Sequence, residues 1–148
     1  MKQLIIAYLL IWPSLAFGQA GKMIEVKSKY SVSETVAKLK AVIEAKGLNL
    51  FAVIDHAAAA EKAGLELRPT TLVIFGNPKV GTLLMQSDQK MGLELPLKFL
   101  IYESENGETI VSYEDPEAYL VGYDLAERTE VIGNIKKALA GLSVAASR

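Results

Sequence analysis

The sequence predicts an α/β fold of the α+β type: a two-layer sandwich in which helices pack on one face of a mixed, mostly antiparallel sheet. Segments with strand periodicity alternate with segments of helical periodicity along the chain. Asn106-Gly107, a dipeptide typical of hairpins, separates two strand-like segments, which argues against a purely parallel sheet. The 148 residues, 51% of them hydrophobic, suffice for one core, and no linker or repeat divides them.

The first twenty residues are predicted to be a secretory signal peptide. Lys2 precedes an apolar run that ends at Trp12, and small residues follow, so that cleavage after Gly18 or after Ala20 is possible. The run is shorter than the ~20 residues of a spanning helix, although an uncleaved anchor is the alternative. Without cysteine there is no lipid attachment site. We expect an exported, soluble periplasmic protein that is not a lipoprotein and has no membrane span after cleavage. Residues 21–148 would form its single domain.

The first half of this domain is predicted to contain three strands and three helices. The first strand has one polar face, the second is apolar and buried, and the third is β-branched and central. These strands are 22–28, 48–54 and 70–75. A polar residue caps each following helix: Ser31, Asp55 and Asn77. Glu34 completes a capping box with Ser31, and Pro78 takes the first helical position after Asn77.

The second half is predicted to contain a hairpin followed by helices. A polar, flexible segment, 88–95, precedes the strands 97–103 and 108–113. Asp115-Pro116 begins a short helix, and Asp124 with Glu127 forms a capping box for a longer one. The apolar side of that longer helix is Leu125, Ile132, Ile135, Leu139 and Leu142. The tail from Ser143 is expected to fray.

Composition excludes several classes of function. The net charge is −1, and removal of Lys2 with the signal would leave −2, so no basic surface is available for nucleic acid. The absence of cysteine excludes disulfides, thiolate metal sites and a thiol nucleophile, and one histidine excludes sites built from several imidazoles. The acidic residues between Glu103 and Glu117 lack calcium-loop spacing and are expected to be solvated. We therefore predict no metal and no cofactor.

Two junctions between a strand and a helix are candidates for chemistry. At the first, His56 could transfer a proton, although Asp55 beside it is explained as a helix cap. The second, 76–82, lacks the order of glycine, lysine and threonine that a phosphate loop needs. Its helix start could hold an anion weakly, or it is a plain strand–turn–helix junction.

Three short motifs carry a family resemblance. Ile54-Asp55-His56, Phe75-Gly76-Asn77-Pro78 and Leu95-Pro96, in this order and spacing, resemble the domain of unknown function family 302 (DUF302) from Met23 to Leu142. The resemblance implies a compact α/β sandwich that pairs as a homodimer, and it implies no established activity. It marks six positions of interest: His56, Phe75, Gly76, Asn77, Pro78 and Pro96.

These positions predict one ligand pocket. If the strands that end at Ile54 and Phe75 are neighbours, His56 and Asn77 lie on the same rim and meet an anionic or carbonyl-bearing small molecule. The leading hypothesis is a non-catalytic, homodimeric module that binds a small ligand or a partner through His56, Phe75, Gly76, Asn77 and Pro96. One alternative is an enzyme that uses His56 as general acid or base. The other is a purely structural or assembly role.

Overall fold

The computed structural model describes residues 22–148, and the predicted signal peptide lies outside them. Five antiparallel strands form one sheet in the order β1-β5-β4-β3-β2. Their bounds are β1 Met23–Lys27, β2 Asn49–Asp55, β3 Thr70–Gly76, β4 Leu97–Glu103 and β5 Thr109–Glu114. The predicted α+β sandwich is thus confirmed, with antiparallel pairing at every neighbouring pair of described strands.

Five α-helices connect or follow the strands. They are α1 Val32–Ala45, α2 His56–Lys62, α3 Pro78–Ser87, α4 Tyr119–Gly122 and α5 Thr129–Ser147. The predicted caps form at the first three: Ser31 and Glu34 make a reciprocal capping box, Asp55 accepts from the Ala58 amide and Asn77 from the Lys79 amide. Each cap satisfies a backbone N–H that the first helical turn leaves unpaired.

One face of the sheet carries the core. Alternate residues of β3, β4 and β5 are almost fully buried there against α1 and α5. Phe75, Phe99 and Tyr113 form an aromatic row across these strands, with ring centroids 5.1 Å and 4.8 Å apart. Most side chains of the opposite face are half-buried or exposed, with Ser112 buried among them, so the helices cover one face only.

Two local expectations about burial and flexibility are wrong. The segment 48–54 was expected to be a buried strand, but β2 is an edge strand whose Phe51 and Val53 are about half exposed. The segment 88–95 was expected to be flexible, but residues 89–93 form a 3-10 helix that buries Met91 completely. An apolar run predicts a buried strand but does not show whether that strand lies at the edge of the sheet. A mostly polar segment can still bury one of its residues.

The last helix departs from the prediction at both ends. It begins at Thr129, after a short 3-10 helix, Ala126–Arg128, whose cap position is the buried Leu125 and has no side-chain cap bond, so the expected Asp124 cap does not form. The tail does not fray, because Ser143, Ala146 and Ser147 are buried. The carbonyl of Ser147 accepts a bond from the Lys29 amide, which ties the end of α5 to the start of the domain.

The predicted hairpin forms between β4 and β5, but its turn is not the type I′ turn that an Asn-Gly dipeptide favours. Only Gly107, at φ 74°, has positive φ among the described turn residues, whereas an Asn-Gly hairpin turn of type I′ needs positive φ at both. The Gly107 amide donates to the Ser104 carbonyl at 3.0 Å. The loop therefore resembles a type I turn closed by a left-handed glycine.

Candidate ligand-binding site

A pocket of about 550 Å³ opens between α3 and α5 at one end of the sheet. We call it the α3–α5 pocket. Its floor includes Phe75 and Gly76 at the end of β3, and its walls come from α3, α5 and the segment 92–97. Its volume lies within the ~300–1,000 Å³ that small-molecule sites usually have.

Most of the predicted ligand-binding residues line this pocket. Phe75, Gly76, Asn77 and Pro96 contribute to it, as does Pro78. A Cβ on Gly76 would lie 3.7 Å from Phe51 and 3.8 Å from Pro96, in ordinary contact with both. The third and second family motifs thus meet at one end of β3, although their role in binding stays a prediction.

His56 lies elsewhere, and the expected common rim with Asn77 is wrong. β2 and β3 pair antiparallel, with Asp55 opposite Thr71 and Asn49 opposite Gly76. The helix that follows each strand therefore starts at the opposite end of the pair. With about 3.3 Å of rise per residue, His56 and Asn77 are roughly 20 Å apart. The prediction assumed neighbouring strands that run in the same direction.

The surroundings of His56 offer little for catalysis. The imidazole is exposed at the first position of α2, which has only seven residues. Within residues 22–148 it makes no side-chain hydrogen bond and no ion pair with a carboxylate. A second cavity, of about 740 Å³, lies near this end of the sheet between α1 and α2, but His56 lines neither cavity.

The lining of the α3–α5 pocket is apolar and uncharged. Of its 21 lining residues none is Asp, Glu, Lys, Arg or His, and the polar side chains are Asn77, Thr82 and Asn134. Asn77 and Thr82 lie at the beginning of α3, and Asn134 lies across the pocket on α5. Such a lining suits a molecule with a mostly hydrophobic surface and few polar atoms.

Polar contacts hold the wall of this pocket. The Tyr123 hydroxyl donates to Glu94 Oε1 at 2.5 Å, and Lys98 Nζ donates to the Glu94 carbonyl at 2.7 Å. Arg128 Nε donates to Ser87 Oγ, at the end of α3, at 2.8 Å. Residues between α4 and α5 therefore hold both α3 and the segment 92–97 through polar contacts, while the pocket lining itself is apolar.

The same contacts change the titration of neighbouring groups. The hydrogen bond to Glu94, together with partial burial and the Glu94 charge, raises the pKa of Tyr123 to about 12. Burial, and next the Glu114 charge, raises the pKa of Tyr119 well above its usual range. Burial also raises the pKa of Glu114, as does the charge of Glu94, while Lys98 lowers it.

Several residues of the pocket were missed at the level of sequence. Asn134 and Ala138 on α5 and Met85 on α3 were not singled out. One signal was available: Val131 and Ala138 recur at helical spacing with Ile135 and Leu142 of the predicted apolar side. The expectation that the acidic residues after Glu103 are solvated also fails at Asp115, which is buried and paired with Lys136.

Within residues 22–148, no cluster of three or more His, Asp or Glu side chains has the geometry to hold a metal ion. None of the helices in that range combines the length and apolar character that a membrane crossing requires.

Comparison with known proteins finds relatives of two kinds. The chain is 40% identical over 105 residues to the fluoride-specific ion channel FluC 1 of Brucella suis biovar 1 (strain 1330) and to FluC 2 of Brucella melitensis biotype 1 (strain ATCC 23456 / CCUG 17765 / NCTC 10094 / 16M). The match covers 71% of this chain but only 41% and 39% of those proteins, so it spans about two fifths of their length.

The fold has a solved counterpart. The crystal structure of an uncharacterized conserved protein DUF302 from Bacillus stearothermophilus superposes with a TM-score of 0.72 at 22% identity. The similarity covers 85% of this chain and 98% of that one. The model of the family "Domain of unknown function DUF302" matches residues 24–142, nearly the whole of the predicted domain. The chain belongs to the DUF302 family.

Proposed function

We propose that this protein is a non-catalytic module that binds a small, largely apolar molecule in the α3–α5 pocket. The observation that carries the proposal is the pocket itself: a volume of about 550 Å³ with an uncharged lining, built around the Phe75-Gly76-Asn77-Pro78 motif. Burial of apolar ligand surface is worth roughly 25 cal/mol per Å² and would provide the driving force for binding.

The arrangement supports binding better than catalysis. A general acid or base has to reach the reacting atom, within hydrogen-bond distance or through one water. The pocket lining contains no titratable side chain among the described residues, and His56 lies at the other end of the β2–β3 pair. The alternative of an enzyme that uses His56 would need a separate site around an exposed imidazole.

Titration with the neutral fluorescent probe N-phenylnaphthylamine tests the proposal. We expect saturable binding of one probe per chain. Ala138→Phe places a large ring in the pocket and should weaken binding at least about tenfold, because it fills the volume that the probe needs.

Ala140→Phe is the matched control. Ala140 is exposed on the same helix but does not line the pocket, so this variant should bind the probe like the parent. Equal binding by both variants, or no saturable binding at all, would exclude the α3–α5 pocket as a ligand site. The latter result would favour the purely structural or assembly role.

We further propose that two copies pair through the sheet face that the helices leave uncovered. Ile54, Leu72 and Leu100 are direct cross-strand neighbours on that face, in β2, β3 and β4. Ile54 is 40% exposed, although an isoleucine in a strand usually packs against another layer. A second copy that packs on this apolar row would give the open face its missing layer.

Export to the periplasm belongs to the same proposal. Its support is the sequence of residues 1–20: a basic start, an apolar run and small residues before either cleavage point. Mass determination of the protein recovered from the periplasm should find a chain that begins at Gln19 or Gly21. An uncleaved chain in the membrane fraction would contradict it.

A second function is favoured by the similarity to part of two proteins named fluoride-specific ion channels. The described residues contain no helix that fits a membrane span, so we propose an accessory role beside a channel rather than ion conduction. A strain that lacks the gene should then grow less well in fluoride, and the parental gene should restore growth. Unchanged fluoride tolerance would exclude this role.

A further inference from the structure

We propose that the ligand of the α3–α5 pocket is an uncharged molecule with a carbonyl-type oxygen that accepts hydrogen bonds from Asn77 and Asn134. This inference rests on the proposed binding function and specifies the chemical class of its ligand. It also decides between the two ligand classes expected from sequence, an anion and a carbonyl compound.

The first argument is the charge of the lining. A carboxylate or an ammonium group that enters an apolar site loses hydration, which is unfavourable unless an opposite charge replaces the water. The described residues supply no such charge, because none of those that line the pocket is ionisable. Lys79, next to Asn77 in sequence, does not belong to the lining. A neutral ligand escapes this cost.

The second argument is the hydrogen-bonding state of Asn77. Its Oδ1 accepts the Lys79 amide at 3.0 Å as the cap of α3, which also fixes which side-chain atom is oxygen and which is nitrogen. The Nδ2 group donates to no other described residue, so it is available to donate to a ligand. An amide nitrogen is a donor only, so its complement is an acceptor.

The third argument is the position of Asn134. It lies on α5, across the pocket from the start of α3, and it is exposed and makes no hydrogen bond to a described side chain. Its neighbours in the lining, Val131 and Ala138, are apolar. The lining thus offers one amide donor at the cap of α3 and one on α5 to a carbonyl-type oxygen, while the rest of the ligand contacts hydrocarbon.

Binding of the neutral fluorescent ketone Prodan tests this class of ligand. Asn77→Asp keeps the helix cap but replaces the amide donor by a carboxylate, and Asn134→Leu removes the second donor without adding charge. Each should weaken Prodan binding about fivefold or more, the range that loss of one hydrogen bond gives. Asn134→Leu should at the same time leave N-phenylnaphthylamine binding unchanged or tighter, since that probe has no carbonyl.

A control variant and a displacement experiment complete the test. Asn106→Asp, at the hairpin tip, makes the same chemical change far from the pocket and should bind both probes normally. In displacement of Prodan, methyl nonyl ketone should compete at a concentration at least about tenfold lower than undecanoate or undecylamine. Asn77 and Asn134 variants that bind Prodan like the parent, or undecanoate that competes as well as the ketone, would overturn the inference.

The outcomes separate this inference from the proposed function. If N-phenylnaphthylamine binds and Ala138→Phe abolishes that binding, the α3–α5 pocket is supported as a ligand site, whatever the result of the ketone displacement. If the ketone then shows no preference, the ligand class is wrong but the binding site is right. If neither probe binds, both proposals fail.

Discussion

At the scale of single residues, Asn77 illustrates how one side chain serves fold and site together. Its oxygen caps α3, and the residue also lines the α3–α5 pocket. The cap was predictable from the Asn-Pro dipeptide, because proline favours the first helical turn and asparagine favours the position before it. The opposite wall of the pocket was not predictable from this motif, since it comes from α5, which lies more than fifty residues further along the chain.

The residue scale also gives a prediction about Tyr123. The hydrogen bond to Glu94 raises the pKa of its hydroxyl to about 12, so this contact stabilises the fold fully below the ordinary tyrosine pKa of about 10 and is lost as pH rises through 12. Alkaline titration followed by phenolate absorbance should show a late step near pH 12 for Tyr123, in addition to the late titration of the buried Tyr119. Tyr123→Phe should remove that step.

Glu94→Gln is the control for the cause of that shift. It removes the charge and weakens the acceptor, so the late step should move to lower pH while the number of titrating tyrosines stays the same. A late step that keeps its position in Glu94→Gln would show that the contact with Glu94 does not control Tyr123.

At the scale of elements, the sequence predicted which segments are strands and helices better than it predicted their surroundings. All five strands and the capped helices α1, α2 and α3 have the expected positions, because alternation, helical spacing and cap residues are local signals. The edge position of β2 and the packed end of α5 were missed. Both depend on partners distant in sequence, β3 for the first and Lys29 for the second.

Substitutions at two glycines are expected to change the stability of the fold in opposite directions. Gly133 lies inside α5, and a Cβ there would meet nothing within 4 Å, so Gly133→Ala should stabilise the fold by about 0.5–1 kcal/mol through lower chain entropy when unfolded. Gly107 has φ 74° at the hairpin, where any other residue is strained, so Gly107→Ala should destabilise it by about 1–2 kcal/mol.

Urea unfolding measures both effects, and each variant is the control for the other, since both add one methyl group at an open position. Changes of the same sign in the two variants would contradict the difference in backbone conformation on which the prediction depends.

At the scale of the whole molecule, antiparallel pairing explains why the site could be predicted only in part. Phe75, Gly76, Asn77 and Pro96 come together because they surround the end of one strand. His56 could not be placed from sequence, since the motif that contains it looks the same whether β2 runs with β3 or against it. The direction of pairing sends His56 to the other end of the sheet.

The proposed dimer leads to a prediction about the oligomeric state of the protein. Leu72→Lys puts a charge in the centre of the apolar row on the uncovered face and should convert a dimer to a monomer, as measured by light scattering after size exclusion. Leu93→Lys is the control, because Leu93 is 78% exposed on the 3-10 helix and away from the sheet. A parent protein that is already monomeric at high concentration would rule out the proposed pairing.

The edge position of β2 has a consequence for aggregation of the protein. An edge strand with exposed Leu50, Val53 and Ile54 presents free backbone groups to any other extended chain and invites growth of aggregates by strand addition. The register on β3 shifts between Leu50 and Ala52, so Phe51 has no partner and the strand is irregular there. This break in the regular spacing of the edge should keep an incoming strand from pairing with β2 along its full length.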